Sequence, residues 1–163
     1  MKLVIADTGA LISLGHVGHI HLIEEIFGDF YIAEAVWKEL RNYENPEFDV
    51  NIFKVLENRV VKIKSKNNLR MVMDYGESES VILYEELKAD YLLIDDNKAR
   101  MIAESLDVNC IGSIGLLIRA KQKGLIVALK PIFEKWVSVG RYFSKKLLNK
   151  VLTDLGENVM IGE

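Results

Sequence analysis

Carboxylates recur in this chain where short apolar runs end. Asp7 follows Leu3-Val4-Ile5-Ala6, and Asp95-Asp96 follow Tyr91-Leu92-Leu93-Ile94. Glu77 follows Gly76 at the start of a helix-patterned stretch. Glu39 lies two turns into the stretch after Phe30-Tyr31-Ile32, and faces the site if Val36 and Leu40 point to the core. Carboxylates gathered in one place repel each other, more strongly as the local dielectric falls. A divalent cation relieves that repulsion, and oxygen donors without His or Cys favour Mg²⁺ or Mn²⁺ over zinc. Taken singly, each acid has an ordinary reading. Asp7 and Asp96 would serve as helix caps, and Glu39, Glu79, Glu85 and Glu86 as exposed helix acids. The set carries the argument.

Other chemistry is poorly supplied. Cys110 is the only cysteine, so neither an internal disulfide nor an all-cysteine metal site can form, and it reads as a small buried hydrophobe. His16, His19 and His21 cluster early, but no cysteine or further histidine completes a zinc site. Neither GxxxxGK[ST] nor GxGxxG occurs, so a phosphate-cradling nucleotide domain is not indicated. A receiver domain would carry its Asp pair after the first strand. An aspartyl phosphatase would need a second aspartate at position 9, where Gly9 stands.

The elements that must position the acids read as alternating strands and helices. Strands are expected at 2–6, 30–32, 60–63, 91–94 and 108–111. Helices are expected over 10–26 with a break at 15–18, then over 33–41, 48–58, from Gly76 to near Lys88, 98–106, from Gly112-Ser113 to near Lys123, 128–140 and 144–155. Alternation of this kind gives an α/β domain with a mostly parallel sheet, whose ligands sit beyond the carboxyl ends of the strands.

Size and composition agree with one domain. The chain has 163 residues, half of them apolar and 28% charged, which excludes disorder and fibrous repeats. Its apolar runs are far short of the ~20 residues of a spanning helix. The first run, ending at Asp7, is too short for a signal peptide, so a reduced cytoplasmic setting is expected. Charge is uneven on this chain of net −3. Nine Lys/Arg and one acid, Glu134, lie between Arg119 and Lys150, and Lys62, Lys64, Lys66 and Arg70 form an acid-free stretch. These are either solvated helix faces or a footprint for a phosphate backbone. Tyr75, Trp136, Tyr142 and Phe143 are candidates for stacking on unpaired bases, and Trp37 for a half-buried or interface position.

Four segments, in order, carry the acids: Val4-Ile5-Ala6-Asp7-Thr8-Gly9-Ala10-Leu11, Ala35-Val36-Trp37-Lys38-Glu39-Leu40, Gly76-Glu77-Ser78-Glu79-Ser80-Val81-Ile82 and Leu93-Ile94-Asp95-Asp96-Asn97-Lys98-Ala99-Arg100. Together they resemble the PIN-domain family. With Ile111-Gly112-Ser113-Ile114-Gly115-Leu116-Leu117, the chain looks like a prokaryotic subfamily of toxin-like PIN ribonucleases. The resemblance covers residues 1–125 as a PIN-like nuclease domain, with 126–163 a helical extension packed on it. It implies a three-layer α/β/α sandwich around a mostly parallel sheet of about five strands.

It also implies a metal-dependent endoribonuclease in which Asp7, Glu39, Glu77 and Asp96 hold one or two Mg²⁺ or Mn²⁺ ions, with Asp95 a substitute for Asp96. Glu77 stands where relatives often carry aspartate. Thr8, Asn97 and Arg100 would support the motifs and, with Lys62, Lys64 and Arg119, contact RNA. The family further suggests a toxin held by a small antitoxin protein, and a homodimer using the apolar helices around Leu116–Ile126. The competing reading is a non-catalytic PIN-like module that binds nucleic acid or protein.

Overall fold

A computed structural model describes residues 1–161. The central strand, β1 (Lys2–Ala6), has Val4, Ile5 and Ala6 fully buried, because a strand covered on both faces carries a continuous apolar run. β2 (Gly28–Ala33) lies on one side of it with β3 (Val60–Val61) beyond. β4 (Tyr91–Leu93) lies on the other side with β5 (Cys110–Ile111) beyond. Every pairing is parallel, as in Ile5 with Tyr31 and Leu92. The α/β architecture is therefore a five-strand all-parallel sheet flanked by helices. Building outward from β1 to β3 and then restarting at β4 reverses the strand order beside β1. That reversal opens a crevice beyond the carboxyl ends of β1 and β4.

Between β1 and β2 the chain forms α1 (Thr8–His16) and α2 (Leu22–Phe27), separated where Gly18 takes φ +72°. Between β2 and β3 come α3 (Glu34–Arg41) and α4 (Ile52–Leu56), the latter ending in a 3₁₀ turn over 57–59. The helix expected over 48–58 is shorter because Asp49 folds back, its carboxylate accepting from Asn51 N at 2.9 Å. The strand expected over 60–63 keeps only two residues in the ladder. Past it, the Glu86 carboxylate takes the backbone N–H groups of Lys64 and Ser65. α5 (Tyr75–Glu86), α6 (Asn97–Ser105) and α7 (Ser113–Gln122) follow, then α8 (Lys130–Ser138) and α9 (Lys145–Asp154). Among the described residues no helix is long and apolar enough to cross a membrane.

The C-terminal helices share the core. Trp136 on α8 is fully buried, donates its indole N–H to Ser13 O at 2.7 Å, and stacks on Phe133 and Phe143. A ring so enclosed cannot stack on a base, which corrects its reading as a nucleic-acid contact. Arg141 reaches Ser13 Oγ and Gly9 O, and Glu157 ties α7 to the start of α8 through Lys121 Nζ and Leu129 N. Trp37 is half-buried, edge-on to Phe53.

Candidate active site

Five carboxylates from four chain segments line one cavity of about 260 Å³ in that crevice: Asp7, Glu39, Asp74, Glu77 and Asp96. Asp7 leaves the end of β1, where its N–H donates to Leu93 O of β4 at 2.9 Å. It stands at the N-cap of α1 yet makes no side-chain capping bond. Buried at 5% exposure, its carboxyl is pushed well above the usual carboxylate range by desolvation. The charges of Glu77, Asp74 and Glu39 push the same way, against a lowering hydrogen bond from the Thr8 backbone.

Glu39 is brought in by α3, which has Ala33 at its N-cap and no capping side chain of its own. The missing cap comes from α5: buried Glu79 accepts from Ala35 N at 3.0 Å. This corrects the reading of Glu79 as an exposed helix acid. We expect Glu79→Ala to destabilise the fold by about 1–2 kcal/mol, as loss of a cap does. Denaturant unfolding would measure that loss, and Mn²⁺ affinity would fall with it because α3 carries Glu39. Thr8 Oγ1 donates to Glu39 Oε1 at 2.5 Å, so Thr8 orients an acid in addition to lining the cavity. At Gly76, in the first turn of α5, a Cβ would overlap the Glu39 carboxylate as it is held here. Burial raises the Glu39 pKa, the Asp74 charge adds to it, and Arg70 works against both.

Glu77 and Asp74 form a capping box at the start of α5, with Glu77 N donating to Asp74 Oδ1 at 2.9 Å. Desolvation, then the charges of Asp74, Asp96 and Glu39, lift Glu77 to a pKa of about 7, against the lowering bond to the Asp74 backbone. Asp96 caps α6, one oxygen accepting from Ala99 N at 2.9 Å, and is otherwise exposed. Asp74 was missing from the sequence expectation. Its signal was present, since Asp74-x-x-Glu77 before an apolar run is a capping box.

Asp95 is not brought to this cavity. Ser113 N and Ser113 Oγ donate to its two oxygens at 2.7 and 2.5 Å, and Tyr142 donates to the second at 2.9 Å. Both oxygens are thus spent on fixing the start of α7 and the loop before α9. Lys62 and Lys64 are exposed beyond the edge strand β3, two strands from β1, and line neither the acid cavity nor its neighbours. Of that basic segment only Arg70 comes near. It stacks over Tyr75 at 4.4 Å and lines, with Lys98, a 410 Å³ cavity that shares Asp74, Glu77 and Asp96. Asn97, Arg100 and Arg119 line a third cavity, reached past Tyr142.

The donor set consists of oxygens only, with one buried carboxyl whose ionisation a cation would favour. That suits a hard divalent ion. As placed, no group of three or more His, Cys, Asp or Glu among the described residues is gathered tightly enough to hold an ion by itself. Asp74, Glu77 and Asp96 each commit one carboxylate oxygen to a backbone N–H at a helix start, which leaves the second oxygen of each for a cation. Cys110 and His16 do not line this cavity: burial lifts the Cys110 thiol to a pKa of about 11, and His16 Nε2 pairs with the Tyr43 hydroxyl at 2.9 Å.

No curated protein matches the chain. A family model described as a PIN domain matches residues 3–157, through both C-terminal helices. PIN domains are nuclease-type folds that generally hydrolyse phosphodiesters with divalent metal ions. The sheet order, the acids gathered at its switch point and this near-complete match lead to one assignment: the chain belongs to the PIN-domain family.

Proposed function

We propose that this PIN domain is a metal-dependent endoribonuclease that hydrolyses RNA phosphodiester bonds with Mg²⁺ or Mn²⁺. The observation that carries the reading is the convergence of Asp7, Glu39, Glu77 and Asp96 on one cavity at the switch point, joined by Asp74. When bound, the divalent ion supplies electrostatic stabilisation of the attacking and leaving oxygens. Asp7, buried and fixed to β4 through its backbone, is the anchor for that ion. Glu39, oriented by Thr8, and the helix-start acids Glu77 and Asp96 complete the donors. Arg70 and Lys98 flank the acids with positive charge where a phosphate backbone would cross.

A small antitoxin-like protein as a partner, and a homodimer, belong to the same proposal. A toxin role predicts that a cognate small protein, once added, suppresses cleavage, and light scattering reads the oligomer. Calorimetric titration of Mn²⁺, beside a fluorescent RNA cleavage assay, tests the core of it. The expected result is cleavage abolished by EDTA and restored by Mn²⁺ or Mg²⁺. Neither metal uptake nor cleavage at millimolar Mn²⁺ would leave the non-catalytic binding module as the function.

A further inference from the structure

A cavity of about 640 Å³ lies beside the acid site and plays no part in the reading above. Its size falls in the ordinary range for small-molecule sites, roughly 300–1,000 Å³. It is bounded on one side by β5 and α7 and on the other by the loop before α9 with the start of α9 (Tyr142, Phe143, Ser144 and Leu147). Tyr142 lines both this cavity and the acid cavity, so the two are neighbours across a single side chain.

The lining chemistry differs from that of the acid site. Two arginines, Arg100 and Arg119, face one carboxylate, Asp95, whose oxygens are already held by Ser113 and Tyr142. Arg119 is exposed and has no ion-pair partner among the described residues. Its guanidinium lies 5.4 Å from the Phe27 ring centre and 5.6 Å from that of Tyr91. Arg100 leans towards Cys110 O and Glu104. The missing side chain of Gly112 leaves room for it, since a Cβ there would lie 3.4 Å from Arg100 Nη1 and 3.2 Å from Asp95 Oδ1. Gly115, in the first turn of α7, also lines the cavity. A Cβ on it would make only ordinary contact, 3.5 Å from Ile111, so packing does not require a glycine there. Its absence of a side chain keeps the wall open, although a glycine weakens the helix.

We propose that this cavity is a nucleotide subsite that holds one nucleoside monophosphate unit of the substrate strand next to the acid site. It rests on the ribonuclease reading and adds the residues that select the neighbouring nucleotide. Arg119, assisted by Arg100, takes the phosphate by charge-assisted hydrogen bonds. Tyr91, Phe143 and Leu147 line the cavity with apolar surface for the base, and Asn97 and Ser144 offer polar groups to its edge. Tyr142 then sits where the strand passes from one cavity to the other. The C-terminal extension would therefore contribute to specificity as well as to the core.

The test uses the full chain and the four ribonucleoside 5′-monophosphates as probes, with inorganic phosphate as the control. Isothermal titration should show uptake of at least one monophosphate, tighter than phosphate, and that compound should inhibit RNA cleavage competitively. Arg119→Gln should weaken monophosphate binding about tenfold and raise KM for RNA, while kcat and Mn²⁺ binding hold. Leu147→Trp, which fills the cavity from the α9 side, should do the same without altering charge. Cleavage by the wild type with no monophosphate uptake, or with inhibition that RNA does not overcome, overturns the subsite and leaves the nuclease reading intact. Absence of Mn²⁺ binding and cleavage, read on the same samples, overturns the nuclease reading instead.

Discussion

Asp7→Asn is expected to reduce RNA cleavage by a factor on the order of 10² or more, and to raise the thermal midpoint of the metal-free protein at pH 8. The two effects have one cause. Asp7 is buried and surrounded by Glu77, Asp74 and Glu39, so its ionised form is disfavoured unless a cation is bound. The folded-state pKa values of Asp7, Glu39 and Glu77 all lie above their ordinary values. The folded protein therefore holds more protons than the unfolded chain between the ordinary carboxylate range and the raised values. Stability from these groups is fully present below the unfolded pKa, near 4, and is lost as pH rises through the folded values, which for Glu77 is about 7. The metal-free wild type should thus lose midpoint temperature between pH 5 and pH 8, and Mn²⁺ should restore more at pH 8 than at pH 5. Asparagine removes the charge, so the variant should show a flatter profile. Differential scanning calorimetry at both pH values, with and without Mn²⁺, measures this. A variant that melts below the wild type at pH 8 without metal would show that Asp7 stabilises the fold through its charge.

Trp136→Ala is expected to cost about 3–5 kcal/mol, enough to lower the midpoint by roughly 6–20 °C in a domain of this size. The indole is fully buried between Phe133 and Phe143, and its N–H serves the Ser13 carbonyl in α1. Truncation leaves both a cavity and an unpaired carbonyl. Trp136→Phe keeps a ring and loses the hydrogen bond, so about 1–2 kcal/mol is expected. Because α1 begins at Thr8, loosening Ser13 should also weaken Mn²⁺ binding in Trp136→Ala. Unchanged unfolding by urea would mean that the C-terminal helices are held independently of α1.

Much of the arrangement was legible in local sequence. The continuous apolar runs of β1 and β4 identify strands covered on both faces, and alternation with helices predicts a parallel sheet. In such a sheet the residues after a strand lie at the ligand-binding edge, so Asp7 and the Asp95-Asp96 pair could be found from the runs before them. Gly76 and the Asp74-x-x-Glu77 box mark the helix start that carries Glu77. These features depend on period and on neighbours a few residues away, which the sequence alone supplies.

Tertiary structure decided which acids face the cavity and which hold the fold. Asp95 and Asp96 are adjacent in sequence, yet only the backbone path out of β4 turns one towards Ser113 and Tyr142 and the other towards Glu77. Glu79 and Glu77 lie two residues apart on α5 and so on different faces, and the packing of α5 against α3 sends one into the α3 cap and the other to the site. Lys62 and Lys64 were separated from the acids by sheet order, which no local pattern encodes. Trp136 was drawn inside by contacts more than a hundred residues away in sequence. Residue type and period set what each segment could form, while burial and partner choice were determined by contacts across the chain, where desolvation and pairing decide the role of each charge.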